Sequence, residues 1–118
     1  MFDCVAPTRM ARNGALFCKE VGATKKNRVA ITNAQFIDDV GPICSWCSCR
    51  YCKGTDNEPP LSRRYIHHLF KAEEFLGLRV ASYHNIHFMQ QFMKEMREAI
   101  ANVGFSDFQK EWSYTHHT

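Results

Sequence analysis

Apolar positions along this chain fall into patterns that change from one stretch to the next. In GALFCKEVGATKKNRVAITN, two short apolar runs, Leu16 to Lys19 and Arg28 to Thr32, flank a turn rich in Gly, Lys and Asn. Runs of that length around such a turn predict a β-hairpin. The following AQFIDDVGPICSWCSCRYCKGTDNEPPL has neither helical nor strand period, so something other than a packed core must hold it. Pro59 and Pro60 close that loop, and Ser62 is placed to cap a helix. RRYIHHLFKAEEFL then sets Ile66, Leu69, Phe70 and Leu76 near one face before Gly77, predicting about four helical turns. A second helix is predicted from about His84, where Ile86, Met89, Met93, Met96 and Ile100 recur at three- and four-residue steps with Phe92 beside them. That stripe reads as core. Ser106 is placed to cap a third, short helix carrying Phe108 and Trp112, and SYTHHT reads as a frayed tail.

At 118 residues the chain is long enough for one modest domain but far short of the roughly 250 typical of an eight-stranded α/β barrel. A hydrophobic content of 45% excludes wholesale disorder. The formal charge of +3 is compatible with a polyanionic partner without requiring one. No apolar run approaches the ~20 residues of a membrane span, and the N-terminus lacks the basic and apolar regions of a secretory signal. The expectation is a soluble, cytoplasmic protein with no membrane partner. Without an export signal, six cysteines point away from a disulfide framework and toward metal binding in a reducing compartment.

CSWCSCRYC supplies Cys44, Cys47, Cys49 and Cys52, and two ligand sets are open. All four thiolates form one, although the single residue between Cys47 and Cys49 makes two successive C-x-x-C knuckles around one ion hard to close. The other takes Cys47, Cys49 and Cys52 with a remote fourth ligand. His84 is the best placed, because tying it to the loop pins an irregular segment to the helices; His67, His68 and His87 are rivals on spacing. Either set describes one structural zinc ion with no position left for water. Cys4 and Cys18 read as small buried hydrophobes.

The chain opens MFDCVAPTRMARNG, an extended stub with Asp3 followed by a loop with Arg9 and Arg12. By pattern alone the aspartate reads as a turn residue and the arginines as solvated charges. The order of this block, then CSCRYC, RRYIHHLFKAEE and YHNIHF, closely resembles the C-terminal third of the tRNA-guanine transglycosylases, the queuine tRNA-ribosyltransferases of bacterial type. The likeness runs from Met1 to about Trp112. The stretch GTDNEPPL is longer than the family usually has there, and Ala6 replaces a larger aliphatic residue.

What the resemblance implies is an α/β fold: the C-terminal end of a (β/α)8 TIM barrel with a β-hairpin, a zinc-binding subdomain and C-terminal helices. Residues 1–13 would be the catalytic and wobble-recognition loop, 14–33 the hairpin, 44–84 the zinc module and 84–118 the helical tail. It implies Asp3 as the nucleophile and Thr8, Arg9, Met10, Ala11 and Arg12 as the RNA-reading residues. It further implies Zn2+ held by Cys47, Cys49, Cys52 and His84, with Cys44 spare. The implied activity is a pentosyl transfer that exchanges guanine at the tRNA wobble position for a 7-deazaguanine, in queuosine formation. Its partners would be the tRNA anticodon loop, the incoming deazaguanine and, in the full-length enzyme, a second copy in a homodimer. The rest of the barrel, with its acid/base group and base pocket, is expected to be missing here, making Met1 an internal methionine and this polypeptide inactive alone. The competing reading is a stand-alone, non-catalytic zinc module that binds RNA or a partner subunit.

Overall fold

A computed structural model of the protein describes residues 5–18, 28–44, 46–102 and 104–112. Among these described residues, five α-helices and one two-stranded sheet follow in the order α1 (Ala6–Arg12), β1 (Ala15–Phe17), β2 (Arg28–Ala30), α2 (Arg50–Lys53), α3 (Arg63–Lys71), α4 (Phe75–Ala101) and α5 (Phe105–Trp112). A 3-10 turn at Ala34–Phe36 precedes α2. Among the described residues, no helix is long and apolar enough to cross a membrane.

The stretch read as the loop APTRMARNG is helical over Ala6–Arg12. Pro7 sits in the first turn, where its fixed φ suits a helix and its missing N–H costs nothing. Arg9 and Arg12 occupy the last turn, where positive charge meets the negative end of the helix dipole. The hairpin strands are antiparallel, with Leu16 opposite Val29, and shorter than the apolar runs. Strand β2 stops at Ala30 because Asn33 N–H turns back to the Ala30 carbonyl. Lys19 and the turn lie outside the described residues.

Ser62 caps α3 as its sequence position predicts, its hydroxyl accepting from the Tyr65 N–H at 3.1 Å. The helix then ends at Lys71, five residues before Leu76, and Glu73 takes the left-handed conformation at φ 56°. Leu76 belongs to α4 and is exposed. Gly77, read as a helix stop, is buried inside α4. A Cβ there would lie 3.1 Å from the Leu69 Cβ, so glycine lets α3 and α4 touch. Helix α4 therefore begins nine residues before its predicted start, and His84 lies well inside it.

The stripe read as core is not the buried face of α4. Val80, Ala81, His84, Asn85 and Phe88 are buried, whereas Ile86 and Ile100 are 45% and 59% exposed. Met89, Met93 and Met96 are half-buried and line, with Pro7 and Phe92, an open groove. The side of α4 with fewer long apolar residues is the inner one because the hairpin and cysteine loop pack there. Leu16, Val29, Ile31, Ile43, Ile66 and Val80 form that core together with the cysteines. Helix α5 starts at Phe105, so Ser106 lies within it rather than capping it; Phe108 packs on Phe92 with ring centres 5.5 Å apart. The side chain of Trp112 and the tail SYTHHT lie outside the described residues.

Candidate metal centre

The loop between the 3-10 turn and α3 buries Ile43 and its cysteines in the core, and polar contacts fold the rest of it. Helix α2 is a single turn that carries Cys52 inward and ends at Gly54. At φ 78°, with a Cβ position only 2.8 Å from the Glu58 carbonyl and the Pro60 ring, residue 54 admits only glycine without strain. The long segment GTDNEPPL folds back on itself there, with Thr55 N–H donating to Glu58 O at 2.7 Å.

Cys47, Cys49, Cys52 and His84 converge, and their ligand atoms all lie within 4.8 Å of one another. All four side chains are buried, with exposures of 0%, 1%, 4% and 0%. His84 Nδ1 lies 3.2 Å from the Cys52 sulfur and 3.6 Å from that of Cys49. Zinc with bonds of about 2.3 Å to sulfur and 2.0–2.1 Å to nitrogen sets tetrahedral S···N separations of about 3.5 Å, so the residues fit that ion. Three thiolates and one imidazole leave no corner for water or substrate, the donor set of a structural site.

The His84 tautomer is set from behind. Nε2–H donates to the Phe17 carbonyl at 2.6 Å, so Nδ1 is the nitrogen turned toward the sulfurs and the one a metal would bind. Without metal, burial opposes a charge on this ring. Hydrogen bonds to the Cys47 and Cys49 sulfurs and to the Phe17 carbonyl outweigh it and raise the pKa to about 10. The Cys52 thiol is pushed up, first by its hydrogen bonds to Cys47 and Cys49 and then by burial. Cys49 is held down, chiefly by hydrogen bonding from Cys47. The metal-free cluster thus shares its protons unequally, and an incoming cation must displace them.

The rival ligands are accounted for. Cys44 is buried but outside the four-residue group. His67 Nδ1 lies 2.7 Å from the Ile31 carbonyl, and His68 is exposed. His87 Nδ1 is 3.7 Å from the Cys47 sulfur, one helical turn beyond the ligand histidine. Two further α4 residues escaped the sequence reading. Gln91 Oε1 accepts from both the N–H and the hydroxyl of Ser48 at 2.9 Å, and its Nε2 donates to Trp46 O at 3.1 Å. Buried Asn85 donates to the Pro7 and Ala15 carbonyls and accepts from Phe17 N–H, each at 3.0 Å. The signal that was available is a polar series at 84, 85, 87 and 91 along one helix.

Asn85 thereby pins α1 against α4. Arg9, Arg12 and Thr8 are exposed on α1, Met10 is half-buried and Ala11 is fully buried, so Ala11 serves the packing of the helix. Asp3 lies outside the described residues.

A family model described as Queuine tRNA-ribosyltransferase matches residues 1–118. The queuine tRNA-ribosyltransferase of Lysinibacillus sphaericus (strain C3-41) is 44% identical over 112 residues, which is 95% of this chain and 26% of that relative. Those of Bacillus thuringiensis (strain Al Hakam) and Bacillus mycoides (strain KBAB4) are 42% identical over the same shares. The chain spans 26% of the length of these curated relatives.

Proposed function

The chain belongs to the queuine tRNA-ribosyltransferase family, and from that premise we propose that it supplies the nucleophile, an anticodon-reading helix and a structural zinc anchor to a tRNA-guanine transglycosylase. The family match over all 118 residues carries this reading. In it, the segment forms the end of a (β/α)8 barrel whose other strands belong to the part of the relatives that this chain does not match. Zinc, one ion per chain, sits among Cys47, Cys49, Cys52 and His84 and takes no part in bond breaking. The full-length enzyme is read as a cytoplasmic homodimer acting on the anticodon loop of tRNA.

Replacing a base without cutting the backbone requires a glycosidic bond to be broken and remade on the same face of the ribose, which two successive displacements accomplish. The Asp3 carboxylate attacks C1′ of the wobble nucleotide, and guanine leaves with the bonding pair. An acid outside these residues protonates the departing base. The resulting ester is attacked by a 7-deazaguanine that gives up its proton, restoring Asp3. The target base must be splayed from its loop to be reached. Arg9 and Arg12 are exposed on a helix whose other face is pinned by Asn85, which suits planar, multi-donor contacts to neighbouring bases or phosphates.

A chimera tests the reading: these 118 residues replace the corresponding quarter of the Lysinibacillus sphaericus enzyme, and incorporation of radiolabelled guanine into unmodified tRNA is measured. Exchange by the chimera, none by the 118-residue chain alone, and loss of the covalent RNA adduct with zinc retained in Asp3→Asn are expected. A folded, zinc-loaded chimera without exchange overturns the proposal in favour of a non-catalytic zinc module.

A further inference from the structure

The geometry points to His87 as an outer-sphere positioning residue: its Nδ1–H donates to the metal-bound Cys47 thiolate and holds that sulfur in place against exchange and attack. The inference rests on the zinc reading of the four-residue cluster. The sulfurs of Cys49 and Cys52 lie 3.6 and 3.2 Å from His84 Nδ1. Cys47 has two further neighbours. Its sulfur accepts the Cys49 N–H at 3.5 Å and faces His87 Nδ1 at 3.7 Å, within reach for the large sulfur atom. A thiolate bound to a cation has no proton to give, so in this pair the imidazole is the donor and its Nδ1 carries the hydrogen.

The ring is held for that task. Tyr83 stacks beside it, with ring centres 6.3 Å apart and planes inclined by 23°. Tyr51, the neighbour of Cys52, meets Tyr83 edge-on at 5.2 Å. One turn further along α4, Gln91 grips Trp46 and Ser48, the residues on either side of Cys47. His84, His87 and Gln91 therefore act from one helix on one short segment: the first as ligand, the second on the ligand atom of Cys47, the third on its backbone. A donor to a ligating sulfur draws charge from it and restricts its orientation, and such outer contacts are commonly worth about 10–100-fold in metal affinity.

Three variants of the 118-residue chain separate donation from packing. His87→Phe keeps an aromatic ring beside Tyr83 but no donor, His87→Asn keeps a donor near Nδ1 but no ring, and His87→Ala removes both. Zinc affinity is measured by chelator competition, alkylation of Cys47 in the zinc-loaded chain by mass spectrometry, and the thiolate-to-metal charge-transfer band after cobalt substitution. The expected result is about tenfold or greater loss of affinity, faster Cys47 alkylation and a red-shifted band in Phe and Ala. Asn should lie near the parent. A Phe variant matching the parent, an Asn variant matching Ala, or cobalt ligand-field bands showing that a ligand has been lost in Phe overturns the assignment. A parent chain that takes up no stoichiometric zinc or cobalt would defeat the cluster reading as well, whereas normal uptake with indifferent variants defeats only the role of His87.

Discussion

Arg63 ties the cysteine loop to the helices through one guanidinium. Its Nη2 donates to Ile43 O at 3.0 Å and to the Cys18 sulfur at 3.5 Å, Nη1 reaches Asp39 Oδ2 at 3.3 Å, and the group lies over the Phe36 ring. Arg63→Ala leaves the Ile43 carbonyl and the partly buried Asp39 carboxylate poorly satisfied, so a loss of about 2–4 kcal/mol in urea unfolding is expected. Arg63→Lys should recover little, because one ammonium cannot span these partners. Protons set a second expectation at this scale. His84 has a folded pKa of about 10 against 6.5 for the free side chain, so its protonation stabilises the metal-free fold fully below 6.5 and that contribution is lost as pH rises through 10. Zinc claims the same nitrogen. Its apparent affinity, and the gap in melting temperature between loaded and metal-free chains, should both grow as pH is raised from about 6 to 8, as chelator competition and calorimetry can measure. The four cluster residues were legible in the sequence because chelation restricts cysteine spacing and the family motif selects His84. Arg63, Asn85 and Gln91 were not, since their partners include backbone atoms of distant segments that no local pattern marks.

Helix–helix contact at Gly77 decides how the elements meet. A side chain there runs into Leu69 and Phe70 at 3.1–3.2 Å from its first carbon, whereas a Cβ at Gly104 meets nothing closer than 3.8 Å. Gly77→Leu should therefore cost about 3 kcal/mol by forcing α3 from α4, while Gly104→Ala stays within about 0.5 kcal/mol of the parent or gains slightly. Thermal melts of the two variants, each with zinc bound, make the comparison. The same glycine explains the largest misreading of the elements. Followed along the chain, Gly77 is a helix stop; seen in three dimensions, it is a contact inside a 27-residue helix. The Ser62 cap survived because capping is local, a hydroxyl answering an N–H three residues on. Helix α1 has no side-chain cap at Val5 and only seven residues, so Pro7 in its first turn is the one local mark of its start.

Across the whole molecule, α4 divides the apolar side chains between two unequal faces. One meets the hairpin and cysteine loop; the other leaves Ile86, Met89, Met93 and Met96 around a groove of about 500 Å3 that Pro7 and Phe92 complete. Periodicity alone cannot tell these faces apart, since it reports that a stripe exists but not what lies against it. The choice has measurable consequences. Val80 is fully buried and its truncation to Ala leaves a hole, so Val80→Ala should cost about 2 kcal/mol. Met93 is only half-buried, and Met93→Lys can keep its methylenes on the helix while its ammonium reaches water, so the cost should stay below about 1 kcal/mol. If the methionine stripe were the core of this chain, that order would reverse. The same face should govern self-association, because contiguous apolar surface promotes contact between copies. Static light scattering of the zinc-loaded chain at rising concentration should therefore show less association for Met93→Lys than for the parent, with no change for Val80→Ala while it remains folded.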